Sequence, residues 1–271
     1  MALTDELEKD LKSRTVDPRD LVKTMRAAFP LVMYGETHVG VEKKAEFFAR
    51  LIREQGDRFH ASEYFINEVA LGAVVEDYLE GRKTKSSLPS GIRLMAPILD
   101  AVKERLATTG IVFSGSRFEG STRDRMIFQN FKSSRALHLQ SKRFAEADPG
   151  HFHIGAAHAG RLPLAGGIPT TTQLLIKDGF KPGVVRLVVD VGGSSIDSGT
   201  TVTVRATEGF HVLPVGGGDD FDLMDVIRKV SGGDSFGADI RSSGVFSKIR
   251  PLETTSSDGF HKYFDAILFL K

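Results

Sequence analysis

Pro30-Leu31-Val32-Met33-Tyr34-Gly35-Glu36-Thr37-His38-Val39-Gly40, with the segment from Val41 to about Gln55 behind it, decides how the chain is read. The apolar run between Pro30 and Gly35 lacks polar alternation, which suits a strand buried on both faces of a parallel sheet. After it, Val41, Ala45, Phe48, Leu51 and Ile52 recur at helical spacing, while Glu42, Lys43, Lys44, Arg50 and Arg53 occupy other positions. A strand feeding an amphipathic helix is the building unit of α/β sheets.

The same alternation extends in both directions. Upstream, residues 1–29 read as a helical segment, in which Asp17 caps a helix to about Ala28, Pro18 takes its first position and Asp20 its first turn. Downstream, Arg58 to Glu63 is a strand and Ile66 to Glu80 a helix closed by Gly81. Residues 82–92, rich in Lys, Ser, Pro and Gly, form a loop or small insertion. A helix through Met95, Ile98, Leu99, Val102 and Leu106 leads to the strand Gly110 to Ser114. Ser121 then caps a long helix with Asp124 in its first turn, and a strand follows at His151 to Gly155. Further strands are expected at Val184 to Val191, Thr201 to Ala206, Phe210 to Val215 and Asp265 to Leu270, with helices near Thr171 to Lys177 and Phe221 to Val230. The expectation is a single α/β domain over 1–271, with a mostly parallel central sheet flanked by helices. Sites in such folds form at the carboxyl ends of strands.

Composition narrows the chemistry. The chain has 271 residues, 36 Lys+Arg against 35 Asp+Glu, and no Cys. A net charge of +1 gives no electrostatic reason to bind nucleic acid or an anionic membrane. The absence of Cys excludes a thiol nucleophile, thiolate metal sites and disulfides, leaving oxygen, imidazole, amine or metal chemistry. The N-terminus is acidic, without the basic start and apolar run of a secretory signal, and apolar stretches such as Ala266 to Leu270 are far shorter than the roughly 20 residues of a membrane span. A cytoplasmic protein acting on a small molecule is expected, with its oligomeric state open.

Glu36 and His38 stand directly after a buried strand. Alone, they read first as a helix cap and a satisfied loop histidine. Glu63 ends the next strand, an awkward place for an unpaired carboxylate beside Tyr64 and Phe65. A later strand ends Gly155-Ala156-Ala157-His158, a second imidazole at a strand terminus. Two imidazoles and two carboxylates from different strand ends can converge as metal ligands or as acid/base partners. Arg123 forms a salt bridge to Asp124 or another carboxylate, or else holds a substrate carboxylate or developing oxyanion. His60, His151 and His153 read as structural residues of their strands. Gly216-Gly217-Gly218-Asp219-Asp220 reads as a turn, and Gly192 to Ser195 with Ser198 lacks a serine-hydrolase elbow. Lys132, Arg135, Lys142 and Arg143 read as a solvated basic face.

Gly35-Glu36-Thr37-His38, Glu63, Arg123-Asp124-Arg125-Met126 with Asn130, Gly155-Ala156-Ala157-His158 and the closing Tyr263 to Leu270 together resemble the superfamily of erythromycin esterases, ChaN-type haem-binding proteins and TIKI/TraB-type proteins. The spacing of Glu36 and His38 is closer to the ChaN and TIKI types, and macrolide esterase activity is not implied.

The resemblance and the strand-end residues together imply a hydrolase of an ester, lactone or amide in a small or medium metabolite. His38 would activate water, Glu36 or Glu63 would orient the His38 imidazole and stabilise its protonated form, Arg123 would bind the oxyanion or a substrate carboxylate, and His158 would protonate the leaving group. No cofactor is required in this reading. A TIKI-like alternative places divalent Mn, Co or Zn on His38, His158 and Glu63. A ChaN-like alternative is haem or ligand binding without catalysis, and a third is a biosynthetic cyclase or tailoring enzyme. Specificity would lie in the loops from Arg82 to Gly91, Arg161 to Thr170 and Val215 to Asp220.

Overall fold

The computed structural model describes residues 3–190, 201–203, 220–251 and 259–271. Its strands are β1 (Thr15–Val16), β2 (Leu31–Glu36), β3 (Phe59–Ile66), β4 (Gly110–Gly115), β5 (Gly150–Gly155), β6 (Pro182–Val189), β7 (Thr201–Thr203), β8 (Asp220–Asp222), β9 (Phe236–Asp239), β10 (Arg250–Pro251) and β11 (Ala266–Leu270). Its helices are α1 (Leu3–Arg14), α2 (Pro18–Ala28), α3 (Val41–Glu54), α4 (Val69–Leu79), α5 (Ser90–Arg93), α6 (Ala96–Glu104), α7 (Arg123–Gln140), α8 (Ala156–Ala159), α9 (Thr171–Lys177), α10 (Leu223–Ser231) and α11 (Phe260–Tyr263).

Eight strands form one sheet in the order β1-β9-β11-β6-β2-β5-β3-β4. From β11 through β4 every pairing is parallel, while β9 is antiparallel to both β1 and β11. The chain is a single α/β domain with a mostly parallel sheet, as its sequence leads one to expect.

Strand periodicity divides the core in two. Leu31 and Met33 of β2 face a layer containing Leu7, Ile127, Leu175 and Ile227, and Val32 and Tyr34 face a layer containing Leu21, Phe48, Val75 and Leu99. Helices α1, α7, α9 and α10 thus cover one face, and α2, α3, α4 and α6 the other. The chain leaves β2 and β3 toward the second face, but leaves β5, which lies between them, toward the first. Connections that part in this way open a crevice above the carboxyl ends of β2, β5 and β3.

Several boundaries differ from the sequence reading. The long helix starts at Arg123, preceded by a 3-10 turn over Gly120–Thr122, so Ser121 lies in that turn and does not cap it. The helix after β3 starts at Val69 rather than Ile66. The N-terminal segment is more than helical, since Thr15 and Val16 pair with Ala238 and Gly237. The 82–92 segment contains a 3-10 turn and the start of α5. The strand expected at Phe210 to Val215, residues 216–219 of the turn expected at 216–220 and the Ser194, Ser195 and Ser198 cluster lie outside the described residues, while Asp220 of that turn begins β8. No described helix is long and apolar enough to cross a membrane.

Candidate active site

Glu36, the last residue of β2, is the buried anchor of the crevice. Its Oε2 accepts from Lys44 Nζ, reached from the first turns of α3, and its Oε1 lies 3.0 Å from His38 Nδ1, 3.4 Å from the Tyr64 hydroxyl and 3.5 Å from His153 Nε2. Burial opposes ionisation of this carboxyl. The approach of His153 and His38 and the charge of Lys44 outweigh burial and hold its pKa far below the ordinary carboxylate range.

Because a carboxylate only accepts, the 3.0 Å contact assigns the proton on His38 to Nδ1 and leaves Nε2 as the basic atom. The side chain is 60% exposed. Nε2 lies 3.4 Å from Glu63 Oε1. Its bond to Glu36 raises the pKa of His38 against partial burial, and the charges of Glu36 and Glu63 add to the rise. The Tyr64 oxygen, 3.0 Å from His38 Nδ1, belongs to a phenol whose ionisation is driven up by burial and then by the same two carboxylates, so it stays protonated.

Glu63 has its own support. Oε1 accepts the Gly155 backbone N–H at 3.0 Å, and Arg123 Nη2 lies 3.8 Å from Oε2. Arg123 is steered there by Glu119, whose oxygens take Nη1 at 3.0 and 3.1 Å. Its Nε is buried with no hydrogen-bond partner among the described residues. Arg123 thus turns from its neighbour Asp124 toward Glu119 and Glu63.

His158, in the short helix α8 after β5, is held by buried Asp124, whose Oδ2 stands 2.8 Å from Nδ1. Burial lowers the affinity of this ring for a proton. The hydrogen bond and charge of Asp124, joined by Glu63, overcome it, and the pKa of His158 is raised. Gly155 marks where the two halves meet. A Cβ built on it would lie 3.4 Å from Glu63 Oε1, 3.4 Å from His158 Cδ2 and 3.8 Å from His38 Cε1. Gly35 lets α8 come close, since a Cβ there would lie 2.7 Å from the Ala159 side chain.

All five residues singled out in the sequence, Glu36, His38, Glu63, Arg123 and His158, therefore lie together around Gly155. Sequence reading missed Asp124, Tyr64, Lys44 and His153. The signal for Lys44 was present: it falls three residues after Val41 and four before Phe48, on the apolar stripe of α3, and is fully buried. His153 is no mere strand residue, since it touches Glu36. His60 and His151 are buried in a chain beneath the site, with His60 Nδ1 2.8 Å from His151 Nε2, His151 Nδ1 2.6 Å from Asp57, and Asp57 paired with Arg26 at 2.6 Å. The basic face of α7 also needs correction. Arg135 is buried over the rings of Phe59 and Phe180 and donates to the Glu146 carbonyl, and Lys142 and Arg143 lie beyond the helix end.

Among the described residues, Glu36, His38 and Glu63 each offer an atom within 4.8 Å of the others, a grouping able to hold a divalent ion. His158 lies outside it. The buried ammonium of Lys44 already neutralises Glu36, which weakens that carboxylate as a metal ligand.

No family model matches the chain, and no curated protein matches it. Solved structures do. A protein from Bacillus cereus, 12% identical, aligns over 98% of this chain and 97% of its own with a TM-score of 0.57. A succinoglycan biosynthesis protein, 11% identical, aligns over 99% and 97% with a TM-score of 0.57. An erythromycin esterase mutant in its open conformation aligns over 93% of both chains at 9% identity, with a TM-score of 0.45. For the first two, at these identities, the likeness is one of fold.

Proposed function

We propose that the crevice hydrolyses an ester, lactone or amide in a small or medium metabolite, with water as the nucleophile. The observation that carries this reading is the pair of imidazoles around Gly155, each fixed at Nδ1 by a buried carboxylate, Glu36 for His38 and Asp124 for His158. Such dyads fix the tautomer, turn Nε2 toward the reactant and stabilise the imidazolium that forms.

In the working state His38 is neutral and His158 protonated. His38 Nε2 takes a proton from water as its oxygen bonds to the substrate carbonyl carbon, and Glu63 stabilises the resulting imidazolium. The guanidinium of Arg123 neutralises the oxyanion. His158 Nε2 then gives its proton to the leaving oxygen or nitrogen as that bond breaks, and exchange with solvent resets both rings. Cyclisation of a metabolite would use the same groups, with an internal hydroxyl or amine replacing water.

A panel of nitrophenyl esters, lactones and anilides tests the assignment. Turnover by the wild-type chain, lost in His38→Ala, is the expected result. No turnover across the panel, or wild-type turnover by His38→Ala, would overturn it.

The Glu36, His38 and Glu63 grouping favours a second reading, in which a divalent ion supplies the activated water. Elemental analysis of protein purified without chelator separates the two. Near-stoichiometric Mn, Co or Zn supports the metal reading, and iron directs attention to haem.

A further inference from the structure

His153 presents a puzzle that packing does not solve. It lies in mid-β5, opposite Tyr34 and Ser62 in the flanking strands, and is fully buried. Neither ring nitrogen has a fully formed hydrogen bond among the described residues. A buried polar ring left in this state requires an explanation, because a phenyl ring would fill the space without leaving polar atoms unpaired.

Three contacts supply the explanation. The ring lies between Phe48 and Tyr64, with centroid distances of 4.5 and 5.1 Å. Its Nε2 lies 3.5 Å from Glu36 Oε1, and both side chains are fully buried. That same oxygen receives His38 Nδ1, and the Tyr64 hydroxyl touches both.

We infer that His153 is a positioning residue: its Nε2–H holds the Glu36 carboxylate, so that Glu36 keeps His38 in the orientation that turns Nε2 toward solvent. The inference rests on the hydrolase reading for its effect on turnover, though not for its geometry. Burial keeps the ring neutral, lowering its pKa against the pull of Glu36, and a neutral ring that donates from Nε2 carries no proton on Nδ1.

Nitrogen NMR of the intact wild-type chain, labelled at histidine, reads the tautomer directly. The Nε2–H form of His153 is expected, and the Nδ1–H form overturns the inference. Two variants then separate positioning from packing. His153→Phe keeps a flat ring between Phe48 and Tyr64 but removes the donor, and His153→Gln keeps a donor and loses the ring. Positioning by the donor predicts that His153→Phe lowers kcat roughly 10- to 100-fold, leaves KM within about twofold and mixes the His38 tautomers. It also predicts that His153→Gln restores most of the loss. Wild-type kcat in His153→Phe with loss in His153→Gln would reduce His153 to filler. If the wild-type chain turns over no substrate, the hydrolase reading fails, while the tautomers of His153 and His38 still decide this inference.

Discussion

Asp124 Oδ2 stands 2.8 Å from His158 Nδ1, while Asp124 Oδ1 takes the backbone N–H and hydroxyl of Thr171 at 2.6 and 2.7 Å. One carboxylate thereby orients an imidazole and pins the start of α9. Asp124→Asn should lower turnover by at least about 10²-fold, since the amide can present a donor where His158 needs an acceptor. It should also cost about 1–3 kcal/mol of stability. Kinetics on any substrate found, with urea unfolding of the same sample, checks both.

Lys44→Met leaves Glu36 as a buried carboxylate without its ammonium partner. Breaking a buried pair on one side costs about 3–5 kcal/mol, and most of that should return in Lys44→Met/Glu36→Gln. A double-mutant cycle in urea measures the coupling, and additive losses would contradict it.

Gly155→Ala separates stability from activity. The backbone at Gly155 has φ −56°, which alanine accepts, and the new methyl would make ordinary contacts. Stability should hold or rise by about 0.4–1 kcal/mol, while kcat/KM falls roughly tenfold or more, because the methyl intrudes among Glu63, His158 and His38. By contrast, Gly35→Ala should destabilise by about 1–3 kcal/mol through overpacking against Ala159.

Stability should peak near the ordinary histidine pKa, about 6.5. Burial is the main cause of the lowered pKa of His60, His138 and His153, so below about 6.5 the unfolded chain binds protons that the folded chain refuses. Stability therefore falls on acidification, with each group contributing up to about 1.4 kcal/mol per pH unit. His38 and His158 act oppositely: their raised pKa values stabilise the fold below about 6.5, and that contribution is lost as pH climbs through the folded values. His38 contributes less because solvent screens it. Urea unfolding from pH 5 to 9 tests this, and His60→Gln should flatten the acid limb.

The strands and helices that carry the site were legible because β2 and α3 announce themselves by uninterrupted apolarity and by a 3.6-residue period. Glu36, His38 and His158 were legible because each stands at or just after the end of a strand, and Glu63 because it closes an apolar run, although β3 continues past it to Ile66. The partners that give them chemistry were not. Asp124 looked like a first-turn acid, and only the docking of α7 against α8 and α9 makes it the ligand of His158. His153 and Lys44 occupy apolar positions, and no local pattern separates a buried group that serves a site from one that merely packs.

The pairing of Thr15 and Val16 with Ala238 and Gly237 closes one edge of the sheet. During synthesis these two residues emerge early and must wait for more than 200 others before their partner exists. Until β1 docks, the backbone of β9 offers an open edge to any passing strand. So distant a closure is slow. Docking of β1 therefore covers the β9 edge, and removing Leu3–Val16 should raise self-association through β9, read by sedimentation.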